Sequence, residues 1–305
     1  WGGENVVITC NDPKDFSRLE NYFDVIVIDA PCSGSGLFRR DQEAIKEWSE
    51  ENVMLCAHRQ QRILADALPA LKKEGVLIYS TCSYSKQEDE DLLDWVTKTF
   101  DLATVRLDLD ENWSIVETIS DKYGSYGYRF YPDKLKGEGF FIAALRKRGG
   151  EDFYQPKNKR STLERLTKKD ESLTKSWIRQ DARAVQIKFE NLVYAIPEPL
   201  WNDFIFLKSS VYIKKAGVLL GKLAPNDLIP DHELALSNLV NEDVHSIELS
   251  IDQALDYLRK EELKVDLDRK GWFLVKYENQ NLGWLKALPN RINNYYPADW
   301  RIKKR

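Results

Sequence analysis

Two cysteines occupy closely similar settings in this 305-residue chain. Cys32 lies in Asp29-Ala30-Pro31-Cys32-Ser33-Gly34-Ser35-Gly36, directly after the apolar run Val25-Ile26-Val27-Ile28. Cys82 lies in Ser80-Thr81-Cys82-Ser83, directly after Val76-Leu77-Ile78-Tyr79. Short apolar runs without alternation read as buried parallel strands, and open parallel sheets gather ligands beyond the carboxyl ends of their strands. Asp29 and Cys32 are therefore expected at the active edge, with Cys82 at the end of the next strand. Neighbouring strands lie about 4.8 Å apart, so both thiols can share one pocket. A helix starting near Ser85 would point the positive end of its dipole at Cys82 and favour the thiolate, the nucleophilic form of cysteine. A redox pair is the competing use, but the Cys-x-x-Cys spacing is missing. Cys10 and Cys56 read as small core residues.

The elements that must hold these loops follow from pattern. Phe140-Phe141-Ile142-Ala143-Ala144-Leu145 is another expected buried parallel strand, and Val6-Val7-Ile8-Thr9 a fourth. Val53, Ala57, Gln60, Leu64, Leu68 and Leu71 recur at helical spacing, with Pro69 bending the last turn. Ser85 and Glu88 have the spacing of a capping box that opens a helix through Leu92, Leu93, Trp95 and Val96. Strand, helix, strand makes this an α/β, doubly wound, Rossmann-like pattern. From Arg146 to about Lys175 the apolar periodicity disappears. Beyond it, Val211–Leu223, Gly271–Tyr277 and Leu282–Leu285 read as strands, and Ser250 caps a helix carrying Ile251, Ala254, Leu255 and Leu258. The expected division is residues 1–148 for the first domain, 149–205 as linker and intermediate region, and 206–305 for a smaller, mostly β domain.

Composition narrows the class. Four cysteines cannot build a disulfide scaffold and form no zinc-type pairs, so free thiols and a cytoplasmic setting are expected. Three scattered histidines make a metal site improbable. No run approaches the roughly 18 apolar residues of a membrane span. The net charge is −4, yet residues 1–150 hold 19 basic against 26 acidic residues and residues 151–305 hold 26 against 23. The basic excess lies downstream, most sharply at the end, with Lys286, Arg291, Arg301, Lys303, Lys304 and Arg305 against Asp299 alone; such a tail suits phosphate contacts or equally a solubilising charged terminus.

A reaction that needs a thiolate, a second thiol and a carboxylate is substitution at carbon 5 of cytosine. That carbon becomes nucleophilic only after covalent addition at carbon 6, and a base must then remove its proton. The two cysteine motifs, together with Gly137-Glu138-Gly139-Phe140-Phe141-Ile142-Ala143, resemble those of the Sun family of RNA cytosine-carbon-5 methyltransferases, in its bacterial ribosomal RNA branch. Gly283-Trp284-Leu285-Lys286 and Asn293-Asn294-Tyr295-Tyr296-Pro297 extend the resemblance to nearly the whole chain. It implies Cys82 as covalent nucleophile and Cys32 as the second cysteine, for proton removal and release. It implies Asp12 and Asp29 as contacts of S-adenosylmethionine, RNA as partner, and a PUA-like RNA-gripping unit at residues 206–305.

The family's glycine-rich cofactor loop and ribose-binding acid should precede Asp12, where only eleven residues stand. An incomplete methyltransferase sheet is therefore expected. Two other readings stay open: a non-catalytic RNA-binding fragment acting through the PUA-like region, and DNA cytosine methylation, which Cys82 disfavours.

Overall fold

The computed structural model describes residues 2–151 and 163–303. Two compact units divide the chain, one of residues 11–157 and one joining residues 1–10 to 158–305.

The first unit is built on one mixed sheet. Strand β1 (Phe23–Asp29), helix α1 (Glu50–Ala67) and strand β2 (Leu71–Thr81) form the parallel repeat, followed by helix α2 (Glu90–Phe100). Strands β3 (Val116–Ile119), β4 (Tyr126–Phe130) and β5 (Phe140–Lys147) complete the order β1-β2-β5-β4-β3, and the short strand Leu102–Thr104 also pairs with β5. The β1/β2 register matches Val25 with Val76 and Asp29 with Ser80, so the two strands end side by side.

Helix α1 starts where the Ser49 side chain accepts from Asn52 N–H at 3.1 Å, which satisfies one of the free amide groups of the first turn. Val53, Cys56, Ala57, Gln60 and Leu64 form its buried face. The helical pattern expected to reach Leu71 stops at Ala67. Pro69 lies in a 3-10 turn, Leu68–Ala70, and Leu71 opens β2. Leu64, Leu77, Tyr79, Leu92, Leu93, Val96, Phe141, Ala143 and Leu145 make one continuous core.

Three strand expectations are corrected. Phe140–Leu145 belongs to β5, which runs antiparallel to β2, and its residues alternate between buried and half-buried rather than being covered throughout. Strand β1 is an edge with β2 as neighbour, and Val25 and Val27 are 51% and 65% exposed. Val6–Thr9 does not join this sheet: Val7–Thr9 pairs antiparallel with Ile213–Ala216 in the second unit. Only Val7 packs into that unit's core, while Val6 and Ile8 are exposed.

The second unit is mostly β, as patterned. One sheet orders Asp227–Pro230, Val218–Ala224, Leu192–Pro197, Ala184–Phe189 and Glu164–Arg165. The other orders Ser246–Glu248, Gly271–Tyr277, Gln280–Leu288 and Arg291–Asn294. The indole rings of Trp272 and Trp284 pack edge-on against Trp177. Ser250 and Gln253 form a true capping box at the start of Ile251–Arg259. The region 211–223, expected as strand with glycine-marked turns, forms Ile213–Ala216 and Val218–Ala224, which part at Gly217, whose φ of +62° and the Ala195 carbonyl 2.1 Å from any added Cβ exclude a side chain.

Residues 149–205 are more than a linker. Residues 152–162 lie outside the described residues, as do Lys304 and Arg305 of the basic end. Beyond 162, however, a helix (Lys168–Thr174) and the hairpin Ala184–Phe189/Leu192–Pro197 are built into the second unit's core. That hairpin turns at Glu190-Asn191, with Glu190 at φ +55°, and so lacks the Asn-Gly or Asp-Gly signal that marks such turns in a sequence.

Beneath the β2 end sits a buried ionic cluster. Arg129, 5% exposed, donates from Nε to Glu90 at 2.8 Å and from Nη2 at 2.5 Å, and pairs with Asp89 at 3.0 Å. Asp89 accepts from the Thr81 hydroxyl at 2.8 Å. Burial pushes the Asp89 carboxyl well up. For Glu90, burial is the largest single influence and acts upward, but the hydrogen bonds from Arg129 and Thr118 together with the Arg129 charge hold the carboxyl below its usual range. Removing one partner of a buried charge pair typically costs about 3–5 kcal/mol, because the other is left uncompensated. Arg129→Met is accordingly expected to lower the unfolding free energy by about that amount in a urea titration.

Candidate active site

The β1/β2 register carries the two cysteines together. Asp29 opposes Ser80, Ala30 N–H donates to the Ser80 carbonyl at 2.9 Å, and each chain then turns away with its cysteine two or three residues on. The Cys32 and Cys82 sulfurs lie 2.7 Å apart, both thiols free and half-buried. The loops also lock through their backbones: Gly36 N–H donates to the Cys82 carbonyl and Gly139 N–H to the Gly36 carbonyl, each at 2.8 Å. A Cβ on Gly36 would lie 2.5 Å from the Gly139 carbonyl and 2.7 Å from that of Cys82. Glycine there allows close packing of two loops, while Gly34 supplies the left-handed turn at φ +77°.

One carboxylate joins the two cysteine loops. Glu88, fully buried, accepts from Ser33 N–H at 2.9 Å, from the Ser33 hydroxyl at 2.5 Å, from the Ser83 hydroxyl at 2.6 Å and from Gln60 Nε2 at 2.9 Å. Gln60 also donates to the Pro31 carbonyl at 3.0 Å, and the Tyr79 hydroxyl to the Glu88 carbonyl at 2.9 Å. Residues adjoining both cysteines and the middle of α1 thus converge on one side chain. The Ser85–Glu88 capping box does not form: α2 begins at Glu90 after Asp89, without a side-chain cap. The Glu88 carboxylate is spent on the loops instead.

The electrostatics separate the two thiols. Cys82 is lowered to about 7, first by the hydrogen bond from Cys32, against burial and against the negative charges of Asp29 and Glu88. Cys32 moves upward, first because it holds that hydrogen bond and then through burial. These directions favour the ionised form at Cys82 and the protonated form at Cys32. The lowering expected from a helix dipole at Ser85 is supplied by a neighbouring thiol.

The two aspartates have distinct settings. Asp29 accepts from the Ser80 hydroxyl at 3.1 Å and is exposed at the strand end. Asp12 caps the 3-10 turn Pro13–Arg18, accepting from Lys14 N–H at 3.2 Å, and pairs with Arg62 at 3.3 Å. The Lys14 amide bond, reinforced by Arg62, lowers its pKa. Cys56 is buried in α1, but Cys10 is exposed rather than packed in a core. Trp113 is 55% exposed, and the Trp48 ring meets Phe38 edge-on. No group of three His, Cys, Asp or Glu among the described residues can hold a metal ion, and no described helix is long and apolar enough to cross a membrane.

Glu88, Gln60 and Arg129 were not singled out from sequence as site residues. The available signals were a polar Gln60 inside the apolar stripe of α1, and three successive acids at the mouth of an apolar helix.

Two measurements test this construction. Alkylation of Cys82 is expected to rise with pH around a midpoint of about 7; in Cys32→Ala, where the lowering hydrogen bond is lost, the midpoint should move up towards that of an ordinary thiol, read by mass spectrometry of timed iodoacetamide reactions. Glu88→Ala leaves four buried donors without their acceptor, at about 1–3 kcal/mol for each group left unsatisfied. A loss of at least about 2 kcal/mol in denaturant is expected, with faster alkylation of both loop cysteines.

Comparison with known proteins shows what the chain is similar to. Residues 1–146 match the family profile described as 16S rRNA methyltransferase RsmB/F, and residues 244–302 match the methyltransferase RsmF PUA domain. The chain is 28% identical over 310 residues to ribosomal RNA small subunit methyltransferase F of Psychromonas ingrahamii, covering 98% of this chain and 64% of the relative. It is 29% identical over 309 residues to that of Pectobacterium atrosepticum, covering 98% and 63%. The chain thus spans a little under two thirds of the length of the curated relatives it matches. A methyltransferase homolog protein from Pyrococcus horikoshii aligns at 32% identity, covering 45% of this chain and 43% of that one, with a TM-score of 0.35. The α/β first unit is thus similar to the RsmB/F methyltransferase family over residues 1–146, and the β-rich second unit is similar over residues 244–302 to the RsmF PUA domain.

Proposed function

We propose that this chain takes part in S-adenosylmethionine-dependent methylation of carbon 5 of cytosine in ribosomal RNA of the small subunit, through a covalent adduct on Cys82. The observation that carries the reading is the sulfur pair: a thiolate near neutral pKa, held 2.7 Å from a thiol by a carboxylate anchored between the two loops. The relatives' name supplies the RNA class.

In this reading the Cys82 thiolate adds to carbon 6, forming the carbon–sulfur bond and making carbon 5 an enamine nucleophile. S-adenosylmethionine, when bound, supplies the methyl group. Asp12 and Asp29 suit such a ligand, since both are acceptors, and its amino and hydroxyl groups are donors beside a positive sulfonium; Asp12 is already oriented by Lys14 and Arg62. Cys32 passes the proton shared in the resting pair to ring nitrogen 3 as the Cys82 thiolate adds, and its own thiolate then takes the carbon-5 proton. Its raised pKa makes its thiolate the stronger base of the two. The electron pair of the broken carbon–hydrogen bond restores the ring double bond as Cys82 leaves. A cytoplasmic location follows from a ribosomal RNA substrate.

Addition at carbon 6 alone makes the carbon-5 hydrogen exchangeable, so the first step is testable without the cofactor. RNA tritiated at carbon 5 of cytosine is expected to release tritium to water with the 305-residue protein, and Cys82→Ala should reduce the release to background. Release unchanged by Cys82→Ala would refute the adduct. Methyl transfer assayed with S-adenosylmethionine then tests the full reaction, in which Cys32→Ala should accumulate protein–RNA adduct on a denaturing gel.

A further inference from the structure

Between the two matched regions lie residues 147–243, to which neither family profile gives a role. A basic stretch lies within them: residues 157–188 contain 10 Lys+Arg against 4 Asp+Glu, a balance of +6 in a chain whose net charge is −4. Within the second unit, helix Lys168–Thr174 and strand Ala184–Phe189 border an open cleft of about 840 Å³. Arg165, Lys168, Lys175 and Arg179 line it, with Glu171 as the one acid of the lining. Arg165, Lys168 and Lys175 are exposed and form no ion pair among the described residues. Arg179 is held by Asp181 at 3.3 Å with its side chain 42% exposed, and the nearby Lys188 is neutralised by Asp170.

We infer that this cleft is a binding site for the phosphate backbone of RNA, separate from the matched PUA domain. The inference rests on the RNA reading given above. Unpaired cations gathered on one open surface cost electrostatic repulsion, and a polyanion relieves it while releasing condensed counterions. The cleft is much larger than one phosphate group needs. Among the described residues no aromatic ring lines it, whereas binding through bases uses stacking platforms. Ser172, Gln180 and Gln186 add neutral polar groups that suit phosphate and sugar oxygens. The chemistry therefore fits a strand or duplex gripped by its backbone, without sequence readout, and so positions RNA rather than selecting it.

The test compares the 305-residue protein with Arg165→Gln/Lys168→Gln/Lys175→Gln and with a control of equal charge change at exposed sites outside the cleft and outside the PUA-like region, Lys73→Gln/Lys98→Gln/Lys122→Gln. Binding to a fluorescent structured RNA is measured by anisotropy across a sodium chloride series, with melting temperatures checked for all three proteins. Each lost phosphate contact removes about 0.7–0.9 from the slope of log affinity against log salt. The cleft variant is expected to lose roughly 2–3 units of slope and at least about tenfold in affinity at the low-salt end, and the control far less. Equal losses in both variants, or none in the cleft variant while the unaltered protein binds, would overturn the cleft and leave the methyltransferase reading in place. If the unaltered protein binds no RNA, the RNA reading falls and the cleft falls with it.

Discussion

A carboxylate sealed from water organises the first unit. Placing an ionised group in a dry interior is costly unless several donors replace the lost hydration, and Glu88 obtains those donors from the loops that carry the two cysteines and from Gln60 on α1. The same bonds that satisfy the charge fix the loops. The positions of Cys32 and Cys82 are therefore tied to the burial of Glu88, and neither loop can move far without leaving a charged oxygen bare. Immediately beyond it, Asp89 and Glu90 share the buried Arg129. This arrangement sets a run of three acids under the end of β2, tied to both cysteine loops and to β4.

That arrangement has an electrostatic consequence. Negative groups crowd the site, and by themselves Asp29 and Glu88 would keep Cys82 protonated. The hydrogen bond from Cys32 reverses the balance, so that roughly half of Cys82 is thiolate at neutral pH when its pKa is about 7. The proton is retained on the second sulfur, whose own pKa is raised. Two identical side chains are thus pushed in opposite directions by the environment alone, as paired carboxylates are in enzymes.

The second unit uses different physics. Its core rests on stacked β layers around Trp177, Trp272 and Trp284, and its charges remain on the outside. His232 is the exception: burial lowers its pKa to about 4, and its ring is enclosed edge-on by Tyr296 and Trp300. An imidazole kept neutral in this way favours the folded state above its unfolded pKa, near 6.5. That contribution is lost as pH falls from there towards 4.

Much of this was legible in the chain itself. The apolar runs ending in Asp29 and Tyr79 identify two strands with one cysteine beyond each, because the side-chain period and the turn residues are local properties. The stripe from Val53 to Leu64 gives α1 for the same reason, and Ser250 with Gln253 gives the start of a helix. What sequence could not decide was every feature that depends on which segments meet. The direction of β5, the exposed face of β1 and the transfer of Val7–Thr9 to the second unit are pairing choices, and an apolar run looks alike in either orientation. The hairpin around Glu190-Asn191 escaped because its turn lacks the usual residues and its strands draw their stability from distant partners. Ser85 and Glu88 show the limit most plainly: their spacing suits a local cap, yet the Glu88 carboxylate goes to Ser33 and Ser83, because four donors in a closed interior stabilise a charge better than one exposed amide.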